Sequence, residues 1–316
     1  MRARAGCRAF ALSALLLCAR SVAAQQTYVL VITGVAGDEE HGQKFQKWAA
    51  TFIEAARKKE GVPAANITAL GDRDSTRANV EKAFADIASR ARQNDEVFIL
   101  LIGHGSFDGQ TAAFNLPGPD LTAADYAKLL DRFQSQRIVF VNTASSSGAF
   151  LKPLAGPGRV IVTATRTGGE RNDTDFPEYF VAAFSDDAAD RDRNGHVSIA
   201  EAFEYAKTKV AQAFQQKGLL LTEHATLDDG GDGRLASTIF LGTGRGDDVL
   251  GAPGHVDTSN PAVRVLLEER DALQQQIAAL QARRASMDRG QYDAEMEKLL
   301  TELALKTKAI RDLQKK

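Results

Sequence analysis

The chain has 316 residues, of which 44% are hydrophobic, and its formal net charge is -2. This length suits one α/β domain of ordinary size with an appended segment. Because the charge is close to neutral, nucleic acid is not an expected partner. Both cysteines, Cys7 and Cys18, lie close to the amino terminus.

Residues 1–24 have the pattern of a secretory signal peptide. Arg2, Arg4 and Arg8 form a basic start, an apolar stretch follows, and the small residues 22–24 resemble a cleavage site. The apolar stretch is too short to span a bilayer. We therefore expect an exported protein, periplasmic or extracellular, without a membrane span.

Cleavage after residue 24 would change the chemistry of the chain. It would remove both cysteines, so neither disulfide bonds nor thiol catalysis would remain. It would also remove four arginines and leave a net charge of about −6.

Short β-branched runs alternate with helical stretches between residues 28 and 241. The runs predict strands at 28–33, 66–70, 97–102, 137–141 and 159–164, with an edge strand at 237–241. The intervening stretches predict helices at 42–58, 77–91, 123–133, 177–184 and 199–216. Such alternation predicts a parallel sheet with helices on both faces.

Two predicted strands lead into residues that could perform chemistry. The run at 97–102 precedes Gly103, His104 and Gly105, and the run at 137–141 precedes a turn of small polar residues that contains Ser145. Open parallel sheets place their functional sites at the carboxyl ends of strands. His104 and Ser145 are therefore predicted to be a base and a nucleophile in adjacent loops.

The order of these motifs resembles the caspase/legumain-type peptidases, especially the bacterial relatives of legumain. Those enzymes carry a His-Gly pair after one apolar strand and a Glu-Ala-Cys-Glu-Ser-Gly segment after the next. An ungapped alignment of that segment on residues 143–148 puts the catalytic cysteine at Ser145. The resemblance covers residues 28–241 and implies a caspase/legumain-like three-layer α/β sandwich with a mostly parallel central sheet.

The chain departs from this family at catalytic positions. Legumain-like enzymes keep an asparagine where this chain has Ala36, and the acidic neighbour of their cysteine becomes Ser146. A thiol with a pKa of about 8.5 yields some thiolate at neutral pH, whereas the Ser145 hydroxyl needs an aligned base to take its proton.

Three functions remain open on this evidence. The first is a catalytically impaired pseudopeptidase that binds a peptide or a protein. The second is an active serine hydrolase that uses Ser145 and His104. The third is a structural module that assembles through its C-terminal helices.

Residues 190–201 match the twelve-residue spacing of an EF-hand calcium loop. Gly195 provides the sharp turn, and residues 199–216 provide the helix that follows the loop. The predicted ligands of one Ca²⁺ are Asp190, Asp192, Asn194, the His196 backbone carbonyl, Ser198 and a bidentate Glu201. The alternative is an acidic turn that caps the helix without metal.

The other histidines, His41, His224 and His255, lack zinc-site spacing and are interpreted as surface or locally hydrogen-bonded residues.

The C-terminal part of the chain has a different composition. Residues 242–260 form a Gly- and Asp-rich linker, and residues 261–316 are rich in Leu, Ala, Gln, Glu and Lys. Apolar residues recur there at three- and four-residue or seven-residue spacing, which predicts a helical hairpin or coiled coil. This hairpin is either a strut packed on the domain or a surface for partner binding or oligomerisation.

Overall fold

The computed structural model describes residues 25–133, 136–230, 234–242, 261–282 and 287–314. Its strands are β1 (Thr27–Thr33), β2 (Ile67–Leu70), β3 (Glu96–Ile102), β4 (Gly105–Phe107), β5 (Ala112–Phe114), β6 (Leu121–Thr122), β7 (Arg137–Asn142), β8 (Arg159–Thr163) and β9 (Thr226–Asp228). Its α-helices are α1 (Glu39–Lys58), α2 (Arg77–Arg90), α3 (Ala123–Leu130), α4 (Leu151–Leu154), α5 (Phe176–Ala183), α6 (Ile199–Gln216), α7 (Arg234–Thr238), α8 (Pro261–Ala282) and α9 (Arg289–Gln314). The predicted signal peptide and nearly all of the predicted linker lie outside these described residues.

A six-stranded sheet in the order β2-β1-β3-β7-β8-β9 forms the centre of the fold. Every pairing is parallel except that of β9 with β8. The parallel strands are joined by helices, as the alternating sequence pattern predicts. The fold is therefore the expected α/β class with a mostly parallel central sheet.

Side chains of the central strands alternate between two hydrophobic cores. Val29 on β1 and Leu100 on β3 face the core that contains α1, α5 and α6, whereas Leu30 and Ile99 face the core that contains α2 and α3. Since both faces are covered, β1 and β3 are buried along their whole length. This burial explains why the two strands read as continuous apolar runs.

The predicted edge strand at residues 237–241 is wrong. Residues up to Thr238 form α7, and the antiparallel edge strand is β9 instead. Ala236 and Ile239 are three residues apart and both are buried, which suits one face of a helical turn better than alternation in a strand. Phe240 makes an isolated antiparallel bridge with Ser198.

The C-terminal helices α8 and α9 form the predicted hairpin, and they pack against each other. Their apolar seam consists of two clusters, one built around Leu273, Ile277, Leu280, Leu299 and Leu303, and the other around Val263 and Ile310. None of the helices that the structure describes is long and apolar enough to cross a bilayer.

Candidate active site

His104 and Ser145 lie at neighbouring strand ends. His104 follows β3, Ser145 follows β7, and these two strands pair in parallel with Leu101 opposite Asn142. Their carboxyl ends therefore meet at one edge of the sheet, as the sequence predicts. The backbones approach so closely that a Cβ atom on Gly105 would overlap the Ser145 carbonyl oxygen, so only glycine fits there.

Ser145 is 5% exposed, and its hydroxyl is held by a single neighbouring residue. Its Oγ donates to the Gly105 carbonyl oxygen at 3.1 Å and accepts from the Gly105 N–H at 3.3 Å. In the part of the chain that the structure describes, no hydrogen bond joins Ser145 to the His104 ring. The hydroxyl proton is therefore directed at a carbonyl, which is not a base.

Both ring nitrogens of His104 have partners. Its Nε2 lies 3.1 Å from the Ala36 carbonyl oxygen, and because a carbonyl only accepts, Nε2 must donate. Its Nδ1 lies 3.2 Å from Asp173 Oδ1. Ala36 thus orients the His104 ring through its backbone carbonyl oxygen. This contact does not depend on the side chain at position 36.

The serine-rich turn is buried rather than a solvated loop. Ser146 has the left-handed φ of 58° and is almost fully buried, and its N–H donates to the Glu170 carbonyl oxygen at 2.8 Å. Its Oγ has no hydrogen-bond partner among the described residues. A non-glycine residue in this backbone region is strained, and such strain concentrates at functional sites.

Sequence reasoning missed two residues beside His104. The rings of His41 and His104 are 4.9 Å apart, and His41 Nε2 lies 3.2 Å from Asp173 Oδ2. His41 is locally hydrogen-bonded to Asp38, in line with the sequence interpretation, but it also lies beside His104 and Asp173, which that interpretation did not include. Because β1 and β3 are neighbours, the segments that follow them come together. A prediction that β1 and β3 are neighbouring strands would therefore have placed His41 near His104, whereas sequence spacing could not.

Asp38 holds His41 in place. It caps helix α1 by accepting from the His41 N–H at 2.9 Å, and its Oδ2 lies 2.7 Å from His41 Nδ1. This side-chain hydrogen bond raises the pKa of His41. The backbone hydrogen bond from His41 is the main cause that lowers the pKa of Asp38.

The predicted calcium loop brings its carboxylates together. Oxygens of Asp190, Asp192 and Glu201 lie within 4.8 Å of one another. Asn194 donates from its backbone N–H to both aspartates at 3.0 Å, and Gly195 has the left-handed φ of 93° that the turn requires. Three converging carboxylates form an oxygen-rich site of the kind that Ca²⁺ prefers.

The remaining predicted ligands lie in the same loop. Ser198 caps α6 and forms a capping box with Glu201, whose Oε2 accepts from the Ser198 N–H at 2.9 Å. The His196 N–H donates to Asn194 Oδ1 at 2.8 Å, while the His196 ring points to the buried Glu60, with Nδ1 3.2 Å from Oε2. The ring therefore joins the loop to the end of α1 and leaves the backbone carbonyl for a metal.

Burial and the neighbouring Glu201 raise the pKa of Asp192 above its usual value of 3.8. The cause is the crowding of negative charge in a partly desolvated loop. A cation in the loop would reverse this effect because it neutralises the carboxylates.

Comparisons with known proteins agree with the motif order. The model of the peptidase C13 family matches residues 70–227, which is half of the chain and includes His104, Ser145 and residues 190–201. No curated protein sequence matches the chain. Two similar solved structures are a protein from Geobacter sulfurreducens and the Drosophila initiator caspase Dronc. The first has 12% identity and a TM-score of 0.47, over 67% of this chain and 97% of that chain. Dronc has 11% identity and a TM-score of 0.44, over 69% of this chain and 84% of that chain.

Proposed function

Because this chain belongs to the peptidase C13 family, we propose that it is an exported pseudopeptidase, a peptidase-homology protein with an impaired catalytic site. In this proposal it binds a peptide or a protein, and a Ca²⁺-loaded loop stabilises it. The observation that carries the proposal is the state of the Ser145 hydroxyl, which donates to the Gly105 carbonyl oxygen and not to His104.

The chemistry of serine makes this arrangement decisive. A serine hydroxyl attacks only when a base takes its proton, and the base must itself be oriented by a third group. Here His104 Nε2 donates to Ala36 and Nδ1 faces Asp173, so neither nitrogen is directed at Ser145. The family's thiol would be less dependent on such alignment because it ionises near neutral pH.

The surface beside the site supports peptide or protein binding. A cleft of about 480 Å³ lies between the end of β1 and the start of α1, and its lining includes Val35, Phe45, Arg73 and Pro117. On the other side, residues 219–221 are three exposed leucines, of which Leu220 is 88% exposed. Exposed apolar residues in contiguous patches are typical of interaction sites.

The segment after the leucines is hydrogen-bonded to the loop that contains Asp173, the residue that contacts the His104 ring. Thr222 Oγ1 accepts from Asn172 Nδ2 at 3.4 Å, and Asn172 directly precedes Asp173. A peptide bound along the leucines would therefore lie next to the His104 site.

A panel of fluorogenic peptides tests the loss of catalysis. We expect wild type and Ser145→Ala to give the same background rate. Ser145→Cys is expected to hydrolyse the peptides measurably faster than Ser145→Ala, since a thiol is partly ionised at neutral pH and depends less on an aligned base. The double variant Ser145→Cys/Asp173→Ala should be faster still because it frees His104 Nδ1. Robust hydrolysis by wild type that Ser145→Ala abolishes would instead establish the serine hydrolase.

The calcium part of the proposal rests on the converging oxygens of Asp190, Asp192 and Glu201. These carboxylates must be ionised to bind Ca²⁺, so protons compete with the metal. The raised pKa of Asp192 makes this competition strong in the acidic range.

Calcium affinity is expected to fall as the pH is lowered from about 8 to about 5. Without Ca²⁺, the raised pKa of Asp192 means that the folded state holds this proton more tightly than the unfolded state. The stability that this group contributes is present below its unfolded pKa and is lost as the pH rises through its folded pKa. Ca²⁺ should therefore raise the melting temperature more at about pH 8 than at about pH 5. A calcium-induced rise of equal size at both pH values would contradict the role of Asp192.

Assembly through residues 261–316 is an additional part of the proposal. The two apolar clusters described above lie between α8 and α9, but Val265 and Leu305 are exposed. The exposure of these two apolar side chains supports a contact between the hairpin and another molecule. Comparison of the molecular mass in solution with and without residues 261–316 tests this contact.

A further inference from the structure

We propose that His41, His104 and Asp173 form a binding site for one divalent transition-metal ion, of which Zn²⁺ is the reference case. One ligand atom from each residue lies within 4.8 Å of the other two. The three residues come from the start of α1, the end of β3 and the loop before α5. This site goes beyond the proposed function, because neither peptide binding nor the calcium loop requires it.

Hydrogen bonding determines which nitrogens face Asp173. A neutral imidazole carries one proton. In His104 this proton is on Nε2, which donates to the Ala36 carbonyl oxygen, and in His41 it is on Nδ1, which lies 2.7 Å from the Asp38 carboxylate. The nitrogens that remain are His104 Nδ1 and His41 Nε2, and each presents a lone pair.

Both lone pairs face oxygens of the same carboxylate. His104 Nδ1 lies 3.2 Å from Asp173 Oδ1, and His41 Nε2 lies 3.2 Å from Asp173 Oδ2. When both imidazoles are neutral, these three acceptors repel one another, and either a proton on His41 Nε2 or a metal ion among them relieves the repulsion. A metal ion satisfies all three groups at once and leaves both outer hydrogen bonds intact.

The distances suit a small metal ion. Ligand atoms about 2.0–2.1 Å from a tetrahedral Zn²⁺ lie about 3.3–3.4 Å from each other. The two nitrogen–oxygen distances of 3.2 Å, one to each oxygen of Asp173, are close to this value. Asp173 is 64% exposed, which gives solvent access to the site and makes water the expected fourth ligand.

The residues that accept hydrogen bonds from the two histidines are of the kind that orient histidine ligands in metal sites. Histidine ligands almost always donate their other N–H to a carboxylate or a backbone carbonyl, which fixes the ring orientation. The Asp38 carboxylate accepts this hydrogen bond from His41, and the Ala36 carbonyl oxygen accepts it from His104. Phe45 packs edge-on against the His104 ring, with centroids 5.3 Å apart.

The ligand chemistry distinguishes this site from the calcium loop. Two imidazoles and one carboxylate suit Zn²⁺ and its neighbours in the transition series, whereas Ca²⁺ prefers the oxygen ligands of residues 190–201. A metal at this site would connect the start of α1, the end of β3 and the loop before α5. It would also occupy His104 Nδ1 and keep that nitrogen from acting as a base.

Calorimetric titration of Zn²⁺ into the tag-free, metal-stripped full chain tests the proposal, with saturating Ca²⁺ present to fill the loop. We expect one equivalent of Zn²⁺ to bind. His41→Ala and Asp173→Asn should each weaken binding by about 100-fold or more, and Asp38→Asn, which removes only the support of His41, by about 10–100-fold. His224→Ala is the matched control, because the described hydrogen bonds of His224 go to Glu170 rather than to His41, His104 or Asp173, and its replacement should leave the affinity unchanged.

Two further measurements keep the test independent of folding and of peptide binding. Each variant is first compared with wild type by circular dichroism, and Asp173→Asn is expected to fold because Asp173 is exposed. Co²⁺ in place of Zn²⁺ should give visible absorption bands that are lost in His41→Ala. Absence of Zn²⁺ binding by wild type, or unchanged affinity in the double variant His41→Ala/Asp173→Asn, would overturn the proposal. Neither result would affect the conclusion about Ser145, which the peptide panel tests separately.

Discussion

Millimolar Ca²⁺ is expected to raise the melting temperature of the protein, and Glu201→Gln is expected to lose most of this rise. Extracellular calcium modules bind with dissociation constants of about 0.1–1 mM. Ca²⁺ at about 10 mM is about 10–100 times such a dissociation constant, and it adds about 1.4–2.7 kcal/mol to the free energy of unfolding if it binds only the folded state. For a domain of this size, that corresponds to a rise of about 3–10 °C.

Glu201→Gln is informative because it changes charge with little change in shape. The Glu201 carboxylate accepts from the Arg191 N–H at 2.9 Å and from the Ser198 hydroxyl at 2.8 Å. The glutamine amide can keep one of these contacts through its oxygen, but it cannot provide the charged bidentate ligand. The variant should therefore fold and yet respond weakly to Ca²⁺.

Glu204→Gln is the matched control for this experiment. Glu204 lies on the same helix, is exposed and pairs with Lys207 at 3.6 Å. Its replacement should leave the response to Ca²⁺ unchanged. An unchanged melting temperature in wild type, together with no heat of Ca²⁺ binding by calorimetry, would leave residues 190–201 as a metal-free acidic turn.

Phe52→Ala is expected to lower the free energy of unfolding by about 3–5 kcal/mol. Phe52 lies on α1 and is fully buried, with its ring 5.1 Å from Phe98 on β3 and 5.4 Å from Phe184 after α5. Truncation removes this burial and leaves a cavity where α1, the sheet and α5 meet. The same helix carries His41, so the contact also holds the candidate site together.

Urea denaturation with a two-state analysis measures the effect of Phe52→Ala. Lys47→Ala on the exposed face of α1 is the control, and it should change the free energy of unfolding by no more than about 0.5 kcal/mol. A loss below about 1 kcal/mol in Phe52→Ala would contradict the packing of α1 on β3.

Local sequence patterns predicted the elements whose signals lie within one segment. The apolar runs of β3 and β7 identified strands because burial on both faces removes polar residues. The oxygen-bearing residues of the calcium loop converge in the structure because their spacing lies within a single turn and helix start. Even the adjacency of His104 and Ser145 followed from a general rule about strand ends.

Short segments with weak periodicity could not be assigned in this way. The three-stranded sheet of β4, β5 and β6 has strands of two or three residues, too short to show alternation. Residues 237–241 looked like a strand, yet helical packing of Ala236 and Ile239 decides their structure. In both cases tertiary contacts outweigh local preference.

The sequence by itself determined the α/β class, the central strands and the two loops that carry candidate chemistry, because these depend on periodicity and spacing over a few residues. Only the tertiary structure decided what surrounds His104. Its partner Ala36 is 68 residues away in sequence, and His41 and Asp173, which face each other beside it, are 132 residues apart. Contacts over such separations arise from strand order and loop placement, so no local pattern records them.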